Sequence, residues 1–283
     1  MRWLVIGVVA AIGCSKAREP GPIGEQVPGD TALLATLSIE RLRASEHWPK
    51  LESALAAKLP LALVQRTCAT DPVRAIQSIT LALPADAPTD RALVLVRGVP
   101  RDIADSCVKS FAAAQQMMIT ISDEGGLAAY REGDEAMYAA WLDARTVAFA
   151  PGDLLAKERL LALAKPAQRD PAFADALAQF RKDRTFAVAF AAPAQSQLAS
   201  IIAQSGLEVQ SGHGWIELGT TLRAELTGRF ATVEAAAAAA KQTFQGPLAK
   251  LKATHRDREV VFALELDAAE TAQVVDQVLS LAR

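Results

Sequence analysis

Histidine is scarce in this sequence. Three occur, His47, His213 and His255, and none has a second histidine or a cysteine at ligand spacing. A Cys/His zinc centre is therefore not expected. Aromatic residues make up only 5% of the chain, and 30 basic residues stand against 32 acidic ones. That balance gives no electrostatic case for nucleic acid, and no basic run selects an anionic lipid surface. There is no G-x-S-x-G elbow to present a nucleophilic serine, and no glycine-rich phosphate loop follows a strand. Asp123-Glu124 beside Gly125-Gly126 lacks the oxygen spacing of a calcium loop and reads as a hairpin turn. Cys107 falls on the apolar face of an expected helix, with no histidine near it in sequence to activate its thiol. No cofactor, metal or catalytic residue is expected from these patterns.

What the sequence does have begins at its first residue. MRWLVIGVVAAIGC carries one basic residue, Arg2, then an apolar run from Trp3 to Ile12, then Gly13-Cys14. About eleven apolar residues at ~1.5 Å each cover roughly 17 Å, against a hydrocarbon core of about 30 Å, so a membrane span is not favoured. The order of charge, apolar run and small residue is that of an export leader. With Ala11-Ile12-Gly13-Cys14 at its end, the stretch resembles a bacterial lipoprotein signal peptide. The resemblance implies a signal peptide at 1–13, acylation of Cys14 by fatty acids such as palmitate, and attachment to the cell envelope. It also implies the outer membrane, because Ser15 stands where the inner-membrane retention signal has Asp.

Residues 14–29 carry Pro20, Pro22, Pro28, Gly21, Gly24 and Gly29 with few apolar side chains. Such a segment buries too little surface to offset its ordering entropy and is expected to be a flexible linker. Fully extended, its fifteen residues after Cys14 reach about 50 Å.

Setting Cys14 aside leaves Cys68 and Cys107 as an even pair in an oxidising compartment, where a disulfide is expected. Two independently buried thiols are the alternative, since free cysteine packs as a small hydrophobe.

The remaining residues read as two similar halves, 30–166 and 167–283. Thr31–Ile39 has strand composition, and Ser45 is placed to cap a helix whose buried stripe is Trp48, Leu51, Leu55 and Leu59. Two strands flank the turn-rich PADAPTD, and a helix with Ile103, Cys107 and Phe111 on one face follows. Short apolar runs from Met117 to Pro151 read as an antiparallel meander. A helix capped by Asp153 follows it, with Leu154, Leu155, Leu160 and Leu161 inward.

In the second half, 183–198 parallels 29–42, a hairpin follows, and a strand runs into a last helix with a capping box at Asp267 and Glu270. Val274, Val275, Val278 and Leu279 are its expected buried stripe. Gly98 and Gly228 each read as the end of a strand shortly before a helix. Ala235–Ala240 reads as a smooth helix surface for close packing. Ser211-Gly212-His213-Gly214-Trp215 reads as a turn entering a strand, or else as a loop offering a histidine and an aromatic ring to a ligand.

The expected fold is α+β, each half a mostly antiparallel sheet with helices packed on one face. The order of Cys loop, hairpin and Cys helix resembles predicted bacterial lipoproteins that bring no defined activity with them.

The leading expectation is a membrane-anchored envelope lipoprotein, a non-enzymatic binding or structural module. Its partners would be the membrane, through the lipid anchor, and an envelope protein or apolar ligand. The alternatives are a carrier or chaperone for lipid, and a hydrolase whose site gathers distant residues such as His213 or His255 near carboxylates.

Overall fold

The computed structural model describes residues 26–58, 61–68, 71–86, 91–151, 154–163, 169–204 and 208–281. The leader, Cys14, the linker up to residue 25, Leu59 and Asp153 lie outside them. The protein is α+β, and its strands divide between two compact units.

The first unit holds residues 55–83 and 89–168 together with the segment ending at Thr31. Its strands are β2 (Ser78–Pro84), β3 (Leu93–Arg97), β4 (Thr120–Asp123), β5 (Ala128–Glu132), β6 (Glu135–Asp143) and β7 (Thr146–Pro151). They lie in the order β2-β3-β7-β6-β5-β4, every neighbour antiparallel. The expected hairpin and meander are both present. Gly125 and Gly126 adopt positive φ, and the Gly126 amide donates to Asp123 Oδ1 at 3.0 Å, making the β4–β5 turn. Helix α5 (Arg101–Ala114) buries Ala104, Cys107, Val108, Phe111 and Ala112, the spacing of a single helical face. It packs against α3 (Leu61–Thr67), with the short α4 (Pro72–Ala75) beside α3.

Helix α6 (Leu154–Ala162) packs on β6 and β7. Leu160 is buried as expected, but Leu161 is exposed, and the charged Arg159 takes an inward position in its place. The reason is a carboxylate partner, Asp30, that residue spacing alone cannot reveal.

The second unit holds residues 32–54, 84–88 and 169–283. It therefore contains β1 (Thr31–Ser38, from Ala32 on), α1 (Ile39–Ala44) and the start of α2 (Trp48–Lys58), which the sequence places with the first half. The cause is pairing: Leu33 to Leu37 of β1 lie antiparallel to β8 (Phe186–Ala191). Next come β9 (Val209–Leu218), β10 (Leu222–Phe230), β11 (Lys252–Arg256) and β12 (Glu259–Leu266), in the order β1-β8-β9-β10-β12-β11.

Side chains cap helices in this unit, and the Asp267–Glu270 box stands where the sequence places it. Asp170 Oδ1 accepts from the amides of Ala172 and Phe173 at the start of α7 (Pro171–Ala178). Ser196 caps α8 (Gln197–Ala203). Asp267 and Glu270 exchange reciprocal bonds at 3.2 and 3.0 Å before α10 (Ala268–Leu281).

Other expectations are corrected. Ser45 closes α1, its hydroxyl donating to Leu42 O, and does not open the next helix. Leu55 is exposed, and Trp48 and Leu51 are only half-buried. In α10 the inward positions are Thr271 and Val275, while Val278 is exposed.

The repeat is topological. In the first unit the hairpin β2–β3 leads through α5 to the hairpin β6–β7, and β7 pairs with β3. In the second, β9–β10 leads through α9 (Val233–Ala240) to β11–β12, and β12 pairs with β10. Each closing strand, β7 or β12, then enters a helix, and β4 and β5 are the first unit's additions. Gly98 and Gly228 are not equivalent within this scheme. Gly98 follows β3 at φ +118°, whereas Gly228 lies inside β10.

The stretch Ser211–Trp215 is likewise no turn. It runs through the middle of β9. One cross-strand row reads Phe190, Gly212, Gly228, Val260. A Cβ on Gly212 would strike the Thr227 carbonyl and two Phe190 ring carbons at 3.0 Å, so glycine is what the packing admits. On that face Ala236 and Ala239 of α9 join a core with Phe190, Val209, Phe230, Val260 and Phe262. Glycine below and alanine above bring the helix close to the sheet.

Candidate functional site

Cys68 and Cys107 are joined by a disulfide, with Cα atoms 4.6 Å apart and 39 residues between them in sequence. Both are buried, Cys68 at the end of α3 and Cys107 on the inner face of α5. The bond ties the two helices of the first unit that already pack together.

Val27 and Pro28, which the sequence assigns to the flexible linker, are buried. Immediately after them, Asp30 faces two guanidiniums. Arg91 Nη2 donates to Asp30 Oδ2 at 2.9 Å, and Arg159 Nη2 donates to Asp30 Oδ1 at 3.1 Å. Burial pulls the Arg159 guanidinium below its ordinary value; Asp30 opposes that pull and Arg91 adds to it. These side chains border a cavity of about 300 Å³, with Pro28 and Gly29 on one wall and the exposed Glu158 on another. Sequence reading missed all three charged residues. The one signal was a lone arginine inside a leucine-rich helix.

Elsewhere in the first unit, Glu124 accepts from Arg131 Nε and Nη2 at 2.9 and 2.7 Å and from Lys157 at 2.9 Å. Arg131 also donates to the Tyr138 hydroxyl at 3.0 Å. The bonds from Lys157 and Arg131 hold the Glu124 carboxyl below its usual range. The fully buried Tyr130 donates to Asp105 at 3.2 Å. Burial pushes the Asp105 carboxyl up, against that hydrogen bond and Arg101. These contacts tie strands and helices together, and burial pushes the Tyr130 phenol up, which keeps its hydroxyl protonated.

In the second unit the polar face of the sheet carries a groove of about 670 Å³. Trp215, Glu225, Ala263 and Lys252 form one of its cross-strand rows. Arg184 stacks over the Trp215 ring at 4.3 Å.

The three histidines do not converge. His213 shares the polar face, where burial lowers its pKa and Glu225 and Glu259 oppose the shift. His255 lies in the edge strand β11, in register with Val260 and so on the other face. His47 is buried, with Nε2 3.8 Å from Glu46. Among the described residues no three histidine, cysteine, aspartate or glutamate side chains gather to hold a metal.

Fold and cysteine framework together define a class: an α+β protein of two similar halves, with a disulfide in the first. The fold has solved counterparts. The structure is similar to crystal form III of TP0453 from Treponema, with a TM-score of 0.56 at 9% identity, over 93% of this chain and 99% of that one. It is also similar to crystal form I of TP0453, with a TM-score of 0.51 at 10% identity, over 92% and 98%. At such identities the likeness is one of fold. No protein-family model matches the chain, and no curated protein matches it.

Proposed function

We propose that the protein is a cell-envelope lipoprotein, held to the membrane through an acylated Cys14, whose body is a non-enzymatic binding or structural module. The observation that carries this reading is the Cys68–Cys107 disulfide. A buried disulfide belongs to an oxidising, exported compartment. It also occupies two of the three cysteines, leaving Cys14 as the single thiol for acylation. Among the described residues no helix is long and apolar enough to cross a membrane, and the reading requires none.

The two alternatives have less support. A carrier for lipid needs a concavity walled by aliphatic side chains, whereas the 670 Å³ groove is bordered by Arg223, Glu225, Lys250, Lys252 and Glu265. A hydrolase with His213 as base needs a nucleophile hydrogen-bonded to it, and no hydrogen bond joins His213 to Thr227, the hydroxyl in register beside it.

Mass spectrometry of the protein taken from native membranes tests the proposal. The expected product begins at Cys14 with diacylglyceryl and fatty-acyl groups, and Cys68 and Cys107 resist alkylation until reduced. A membrane-derived protein with an unmodified Cys14 would overturn it.

A further inference from the structure

Arg159 poses an accounting problem that the proposed anchor does not answer. Its side chain is 4% exposed, yet Nε and Nη1 have no hydrogen-bond partner, and Arg91 Nε also lacks one. Buried donors without partners are rare and costly, and those on a guanidinium more so. Asp30 satisfies one N–H of each arginine and no more. Both guanidiniums share that one carboxylate, and the cavity's other carboxylate, Glu158, is exposed to solvent as Asp30 is. The cavity thus brings together two guanidiniums, N–H groups on both that have no partner, and a room of about 300 Å³.

We propose that this cavity, at the point where the linker joins the first unit, binds a phosphate-type oxyanion between Arg91 and Arg159. A phosphate monoanion offers tetrahedral oxygens to guanidinium N–H groups that Asp30 leaves unpaired, while Asp30 keeps the two guanidiniums in position. Buried Val27 and Pro28 fix the end of the linker to the cavity wall. Two sources supply the same chemistry: free phosphate and the phosphodiester of a lipid headgroup. Only the second source rests on the proposed anchor.

Calorimetric titration of the full-length acylated protein in maltoside micelles, which carry no phosphate, uses inorganic phosphate as the probe and chloride at matched ionic strength as control. Saturable binding to phosphate alone is expected. Arg91→Gln should weaken it about tenfold or more, the loss of one charge-assisted hydrogen bond. Arg159→Lys should weaken it as well. Because Arg159 is buried, the half-exposed Arg91 supplies the deciding variant should Arg159→Lys fail to fold. Repeating the titration in phosphatidylcholine vesicles separates the sources. Weaker apparent phosphate binding there identifies a competing headgroup, and equal binding identifies the free anion. Absence of saturable binding in micelles, or an Arg91→Gln affinity equal to that of the parent, overturns the site. If protein taken from native membranes carries no acyl group on Cys14 and still binds phosphate, the anchor is refuted and the site stands.

Discussion

The two halves share a strand plan and differ in how they are held together. The first keeps two charged or polar pairs at least partly buried, Arg159–Asp30 and Tyr130–Asp105, and adds a disulfide between packed helices. The second contains no cysteine. It relies on close approach, with Gly212 and Gly228 in the sheet and Ala236 and Ala239 in the helix above. A common topology therefore does not dictate a common core. The first half is constrained through its unfolded state, which the disulfide restricts; the second through the fit of its native packing.

The largest effect should come from removing the staple. Replacing Cys68 and Cys107 together by alanine frees a 39-residue separation, which costs about 4 kcal/mol on the chain-entropy argument. Hydrogen exchange is the appropriate readout, because two units need not unfold as one. Protection should fall in α3 and α5 and stay near its original level in β8 to β12. An equal loss in both halves would show that the staple serves the whole protein and would break the contrast.

The converse experiment fills the space in the second half. In Gly212→Ala the new methyl meets the Thr227 carbonyl, which cannot yield as a flexible side chain does. A loss of about 2–3 kcal/mol is expected. Urea unfolding followed through Trp215, which lies in the same strand, should show it. A loss near zero would mean that β9 shifts freely and that its glycines are not there to fit Phe190 and α9.

These differences explain what could be read in advance. Strand and helix order was legible because turns, N-caps and apolar periodicity are local, as the Asp267–Glu270 box illustrates. The repeat was legible for the same reason. Membership of β1 was not, since its pairing partner β8 lies about 150 residues away and either unit could have received it. Ser211–Trp215 misled because glycine marks a turn when nothing is known of its neighbours, and a close approach once Phe190 stands opposite it. In the first half the cysteine pair could be inferred from counting. The Asp30–Arg91–Arg159 cluster could not, because it joins three distant segments whose charges look individually solvated.

Acid should distinguish the halves last and least. His213, in the second, has its pKa lowered from 6.5, chiefly by burial, with Glu225 and Glu259 opposing. A depressed folded pKa means that the unfolded chain takes up the proton first. The contribution of His213 is therefore complete above pH 6.5 and is lost as pH falls through the folded value. Glu124, in the first half, follows the same rule from a lower start. Its bonds to Lys157 and Arg131 depress it from 4.5, so its contribution persists until pH falls below that value. Mild acid should accordingly weaken the second half while leaving the Glu124 cluster intact. His213→Gln should flatten the decline in urea stability of β9 and β10 below pH 6.5 without altering that of the first half. A decline that persists unchanged in His213→Gln would assign the acid sensitivity to another group. The second half would then owe its stability to packing alone, and its contrast with the first would be sharper still.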